Sequence, residues 1–256
     1  MIIEDSTKWI DVETKQTATI YYKGSDINGK ITPILKDSNG LVIGYLPSID
    51  YNGFAGSFTW DGTVNIEKIH GNRNLRYNIV KYKSVNQANN PYTVTLILNN
   101  SNGTEIAISN EHKIFVGRPL ILLHGGLSTS KEMETTETFK ELSKNHYVIA
   151  CEYLPPELRQ EGMALFGDIK NYSSSLQQEV SEIIHETGAK KVNIVSHSMG
   201  GLVARWYLEK LGGTDNIGKL IMIGTPNHGL SLANLFIGSD NMAGSQMAPD
   251  SKFLKN

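Results

Sequence analysis

The run Ser196-His197-Ser198-Met199-Gly200-Gly201 sets a serine between small residues two positions before and two after it. KVNIV (191–195) ahead of it reads as a strand, and the stretch from Gly200 to Leu211 as a helix. Ser198 then stands on a strand-to-helix turn, the nucleophile-elbow arrangement. So tight a turn excludes large side chains at the −2 and +2 positions and projects the serine hydroxyl above the edge of the sheet. The backbone N–H of Met199, at the start of the following helix, points toward any negative charge developing on a bound carbonyl oxygen. Ser196 departs from the glycine usual at the first small position, and is itself small.

Two further loops belong to the same chemistry. Leu123-His124-Gly125-Gly126 closes an apolar strand with a glycine-rich turn. Such a turn can bring a second N–H donor toward the elbow, from Gly126 or alternatively from Leu127. Gly224-Thr225-Pro226-Asn227-His228-Gly229 follows another apolar strand. Three strand ends with distinctive loops, converging on one sheet edge, are what a ligand site on a parallel sheet requires.

The elements that must carry these loops differ between the two halves of the chain. Residues 1–115 read as an all-β sandwich, with short strands at Thr17–Tyr22, Ile31–Lys36, Leu41–Leu46, Gly56–Trp60, Tyr77–Tyr82, Tyr92–Leu98, Glu105–Ser109 and His112–Val116. Turns such as KDSNG, HGNRN and NNSNG separate them, because Asn and Gly tolerate positive φ. From residue 116 to 256 the period changes. Apolar strands at Pro119–Leu123, Tyr147–Cys151, Lys191–Val195 and Lys219–Ile223 alternate with helices at Lys131–Lys144, Ser173–Glu186 and Gly200–Leu211. That alternation means a mostly parallel sheet covered by helices.

Composition removes other classes. Lys+Arg is 24 against Asp+Glu 26, and through Val116 the count is 11 of each, so no basic face is offered to nucleic acid or to an anionic membrane. No apolar run reaches the roughly 18–20 residues of a membrane helix. A single cysteine, Cys151, allows no intrachain disulfide. No His/Asp/Glu cluster has metal-ligand spacing, so no metal or cofactor is expected. The first ten residues lack the basic and apolar regions of a signal peptide.

LLHGG, VSHSMGGLVARWYLEKLGG and KLIMIGTPNHG resemble the α/β-hydrolase superfamily, in its bacterial triacylglycerol lipase and esterase branch, over about 119–235. The FTWDG stretch (58–62) resembles a strand and turn of bacterial immunoglobulin-like modules. The first resemblance implies hydrolysis of carboxylic esters, lipids or other small acyl esters, through an acyl-enzyme. It matches Ser198 to the nucleophile, and Met199 and Gly126 to the oxyanion donors. His124, His197 and His228 are expected to line or support the site. His70, His112, His146 and His185 are expected to be solvated, and Arg205 and Glu209 to form an exposed pair. The connection 152–171 is either a lid over the site or a packed loop.

The alternative is a binding or adhesion protein, the hydrolase half serving as scaffold and residues 1–115 docking on a polymer or cell surface. Trp9, Tyr51, Phe54 and Trp60 are the aromatic candidates, with core packing the competing role. A secreted or cell-surface setting is expected from the layout. The superfamily order Ser, then Asp or Glu, then His is not met after Ser198. Further strands carrying the missing acid and base are therefore expected beyond Asn256.

Overall fold

Short alternating segments before Arg118 and continuous apolar ones after it produce two different kinds of sheet. The computed structural model describes residues 1–11, 15–65, 76–78, 90–144, 146–159, 163–236 and 242–255. It divides into Met1–Arg118 with Thr187–Lys190, and Pro119–Glu186 with Lys191–Asn256.

In the first unit, β1 (Ile2–Ile3), β3 (Ala18–Lys23) and β7 (Gly56–Trp60) form one antiparallel sheet. The second sheet runs β2 (Trp9–Ile10), β12 (His112–Val116), β10 (Tyr92–Asn99), β4 (Asn28–Lys36), β5 (Val42–Tyr45), β8 (Thr63–Asn65), β9 (Arg76–Asn78). On it β6 (Ile49–Asn52) pairs with β4 and β11 (Glu105–Ile108) with β10. Its β2–β12 pair is parallel, so the sheet is mixed. The two- to four-residue strands β1, β2, β6 and β8 escape a sequence reading because they are too short to display a period. Residues 79–82 of the strand expected at 77–82, and His70, lie outside the described residues.

Three of the four aromatic docking candidates are corrected here. Trp9, Tyr51 and Trp60 belong to the buried core, Trp9 stacking on Phe115 and Trp60 meeting Tyr92 edge-on. Only Phe54, 69% exposed, faces solvent. His112 is not simply solvated either, since its Nε2 lies 3.0 Å from Thr7 O.

In the second unit, β13 (Leu120–Leu123), β14 (Val148–Cys151), β15 (Val192–His197) and β16 (Ile217–Ile223) form a parallel sheet ordered β14-β13-β15-β16. All four residues of β13 are buried, as a central parallel strand requires. The expected single helix at 131–144 is two, α1 (Ser130–Thr135) and α2 (Glu137–Ser143). Thr136 breaks it by staying extended, donating Oγ1–H to Met133 O while the same oxygen accepts from Phe139 N. α3 (Ile169–Thr187) buries Ile169, Tyr172, Leu176, Val180 and Ile183 along one stripe. α4 (Met199–Lys210) buries Met199 to Ala204 and Tyr207. Ser173 joins the two helices, its buried Oγ lying 2.7 Å from Ile169 O and 2.9 Å from Val203 O. No helix among the described residues is long and apolar enough to cross a membrane.

Candidate active site

Register places the site. Leu123, Ser196 and Met222 pair across β13, β15 and β16, so the turns after these strands emerge along one sheet edge. Ser198 takes φ 51° and ψ −123°, a conformation that L-residues rarely adopt. Its N–H donates to Ile223 O at 2.8 Å and its C=O accepts from Gly201 N at 3.0 Å, so the strained junction is held at both ends. Ser196 is buried, and its Oγ donates to Ile221 O at 3.2 Å. The small residue is thereby tied to the neighbouring strand.

The glycines record close approach. A Cβ on Gly200 would stand 2.4 Å from His124 O, and one on Gly201 1.9 Å from Thr225 Oγ1. The elbow helix therefore starts flush against the turns after β13 and β16. On the other side, a Cβ on Gly125 would lie 3.1 Å from Ser198 Cβ, and one on Gly126 3.3 Å from Met199 Sδ. The Gly125–Gly126 turn thus abuts the serine. Met199 is the first residue of α4, so its N–H has no acceptor within the helix. Leu127, the alternative donor, has an exposed side chain. No hydrogen bond joins the Ser198 hydroxyl to another described residue.

His124 is fully buried and stacked on Tyr153, centroids 4.3 Å apart. Its Nδ1 lies 2.8 Å from Gly125 O and its Nε2 3.2 Å from Glu152 Oε1. The Tyr153 hydroxyl, whose ionisation burial pushes up, donates to His124 O at 2.8 Å. Burial would raise the Glu152 carboxyl. The His124 bond, the Leu154 N–H, the His124 charge and the Ser130 bond more than offset this and hold it at about 2. Glu152 carries no motif, and its separation from His124 by 28 positions left nothing in the sequence to find it.

A consequence follows for acid stability. In the unfolded chain this carboxyl returns to near its ordinary 4.5, so the unfolded state binds its proton more tightly. Its contribution to stability is whole above about 4.5 and is lost as the pH falls through about 2. Urea unfolding should accordingly separate wild type from Glu152→Gln at pH 7, and the gap should close toward pH 2. A gap that persists at pH 2 would show that the ionised carboxylate is not what stabilises.

His197 is exposed beside Gly125, a Cβ there falling 3.0 Å from its Nδ1, and His228 is exposed in the loop after β16. Arg205 donates to Asn227 Oδ1 at 2.9 Å rather than pairing with Glu209, so it ties α4 to that loop. In the described part of 152–171, Tyr153, Leu154 and Ala164 are buried and Leu165 Cδ2 lies 3.0 Å from the Cβ position of Gly126, while Phe166 is exposed. Burial pushes the Cys151 thiol up, with Glu179 and Glu152 adding to it, which leaves a poor nucleophile.

Among solved structures, the chain is similar to the mature form of Bacillus licheniformis lipase BlEst2 at 24% identity, TM-score 0.41, covering 54% of this chain and 56% of that one. It is similar to Aspergillus fumigatus lipase B at 20% identity, TM-score 0.43, covering 54% and 32%. The match therefore spans little more than half the length of the first and a third of the second. Residues 118–243 match the family model described as the alpha/beta hydrolase fold. The parallel sheet β14-β13-β15-β16 and the helices beside it lie within the part of the chain that matches this alpha/beta hydrolase fold model.

Proposed function

We propose that this domain hydrolyses carboxylic esters, of lipids or other acyl compounds, through an acyl-enzyme on Ser198. The observation that carries the reading is the strained Ser198 at the β15–α4 junction, with the Gly125–Gly126 turn against its Cβ. Ser198 Oγ would attack the ester carbonyl carbon and lose its proton to a base. The carbonyl electron pair moves onto oxygen, where the Met199 and Gly126 N–H groups receive it. Collapse breaks the bond to the alkoxy oxygen, which leaves as the alcohol after taking a proton. Water then repeats the sequence on the acyl-enzyme and releases the acid.

The reading covers the nucleophile and the oxyanion site. His124 is not the base, because both its ring nitrogens already face oxygens of Gly125 and Glu152. No described residue is assigned that role. A fluorophosphonate probe tests the nucleophile directly. The purified protein should gain one phosphonyl adduct, mapped to Ser198, and Ser198→Ala should gain none. Equal labelling of Ser198→Ala, or none on Ser198 in the wild type, would refute the assignment.

A further inference from the structure

We propose that Glu152 is a positioning residue that aims the Gly126 N–H at the oxyanion site through the imidazole of His124; this rests on the reading of Gly126 as an oxyanion donor. A trans peptide is planar, so the C=O of Gly125 and the N–H of Gly126 point in opposite directions from one rigid unit. Whatever grips Gly125 O therefore sets where the Gly126 N–H points. His124 Nδ1 grips it at 2.8 Å, with Ser128 N–H at 3.3 Å as a second donor. The preceding carbonyl, His124 O, is held by the Tyr153 hydroxyl at 2.8 Å. Two successive carbonyls of the turn are thus each held by a buried aromatic side chain.

What fixes the ring is Glu152. The fully buried imidazole stands between the two groups, its Nδ1 2.8 Å from Gly125 O and its Nε2 3.2 Å from Glu152 Oε1, so the carboxylate that holds one end of the ring sets where the other end meets the turn. The carboxylate is itself immobilised by three further donors. Oε1 accepts from Leu154 N at 3.1 Å, and Oε2 from Ser130 N at 3.2 Å and Ser130 Oγ at 2.9 Å. Stacking on Tyr153 removes the remaining rotation of the ring.

Glu152→Gln is the variant that isolates the charge. Its amide keeps the size and shape of the side chain and removes the negative charge, so the ring is no longer pinned by an anion. Two readouts on the full chain decide the matter. Nitrogen-15 spectra should show the Gly126 amide resonance of Glu152→Gln displaced from its wild-type position. Saturation kinetics of fluorophosphonate labelling should show the limiting rate constant at Ser198 lower by about tenfold or more, with half-saturation unchanged. A purely structural role would lower the folded fraction and leave the rate constant of the folded protein alone.

A Gly126 amide that does not move in folded Glu152→Gln overturns the proposal, and so does a displaced amide with an unchanged limiting rate. If wild-type Ser198 takes no label, the nucleophile reading falls, and the Gly126 resonance still decides whether Glu152 orients the turn. Should Glu152→Gln not fold, Ser130→Ala removes one donor to the same carboxylate and should displace the Gly126 amide in the same direction by less. No displacement there overturns the proposal in its place.

Discussion

Gly200→Val should cost both stability and the reactivity of Ser198, and the two losses should come together. The atom in the way is backbone: a Cβ at this position falls 2.4 Å from His124 O and 3.0 Å from Leu123 Cβ. A flexible side chain could swing aside, but the end of a central strand cannot. Overpacking of this kind costs about 1–3 kcal/mol and more where the neighbour is rigid. Moving His124 O also breaks the Tyr153 bond to it and shifts the Gly125–Gly126 turn that abuts Ser198. Losing one oxyanion donor costs about 100- to 1000-fold in rate, so the fluorophosphonate rate should fall by about that factor. Gly212→Ala is the matched control. Gly212 also constrains its backbone, at φ 76°, yet a Cβ there has nothing within 4 Å. It should lose about 1–2 kcal/mol from left-handed strain alone and label at the wild-type rate. A folded Gly200→Val with unaltered labelling would mean that α4 does not start flush against β13.

These glycines show why part of the site was legible in the sequence. Close approach of a helix start to two strand ends leaves no room for a Cβ at Gly200 and Gly201 and little at the Gly125–Gly126 pair, so the requirement is written as residue type at fixed spacing, with the small Ser196 tied to the neighbouring strand. The parallel strands were legible for a related reason. Burial on both faces of β13 demands an unbroken apolar run, and LILL supplies it. The α3 stripe repeats on one face as an amphipathic helix must.

Other features depend on contacts that no local pattern encodes. Glu152 works by meeting His124 and Ser130 across 28 and 22 positions, and an isolated glutamate after a strand looks like any solvated acid. Trp9, Tyr51 and Trp60 could be placed on either face of a strand only by knowing which face the other sheet residues cover. The break at Thr136 arises because its hydroxyl serves both helix ends at once, a competition that apolar periodicity does not register. Arg205 and Glu209 have the spacing of a helical pair, but Asn227 offers the guanidinium an oxygen at 2.9 Å and wins it.

Ser198→Gly should be more stable than Ser198→Ala while both fail to take the fluorophosphonate label. The reasoning starts from φ 51° and ψ −123°, which burden any residue with a Cβ and leave glycine nearly free. Strain at such a position is worth about 1–3 kcal/mol. Ser198→Ala removes the hydroxyl and keeps the strain; Ser198→Gly removes both. Glycine also loses more backbone freedom on folding, at about 0.5–1 kcal/mol, so the net advantage over alanine should be about 1 kcal/mol by urea denaturation. The comparison separates the two things serine does here, since the label reads the hydroxyl and the stability difference reads the backbone. An alanine variant as stable as the glycine variant, or more so, would mean that the junction stores no strain. The N–H of Ser198 bonded to Ile223 O and its C=O bonded to Gly201 N would then be holding a relaxed turn.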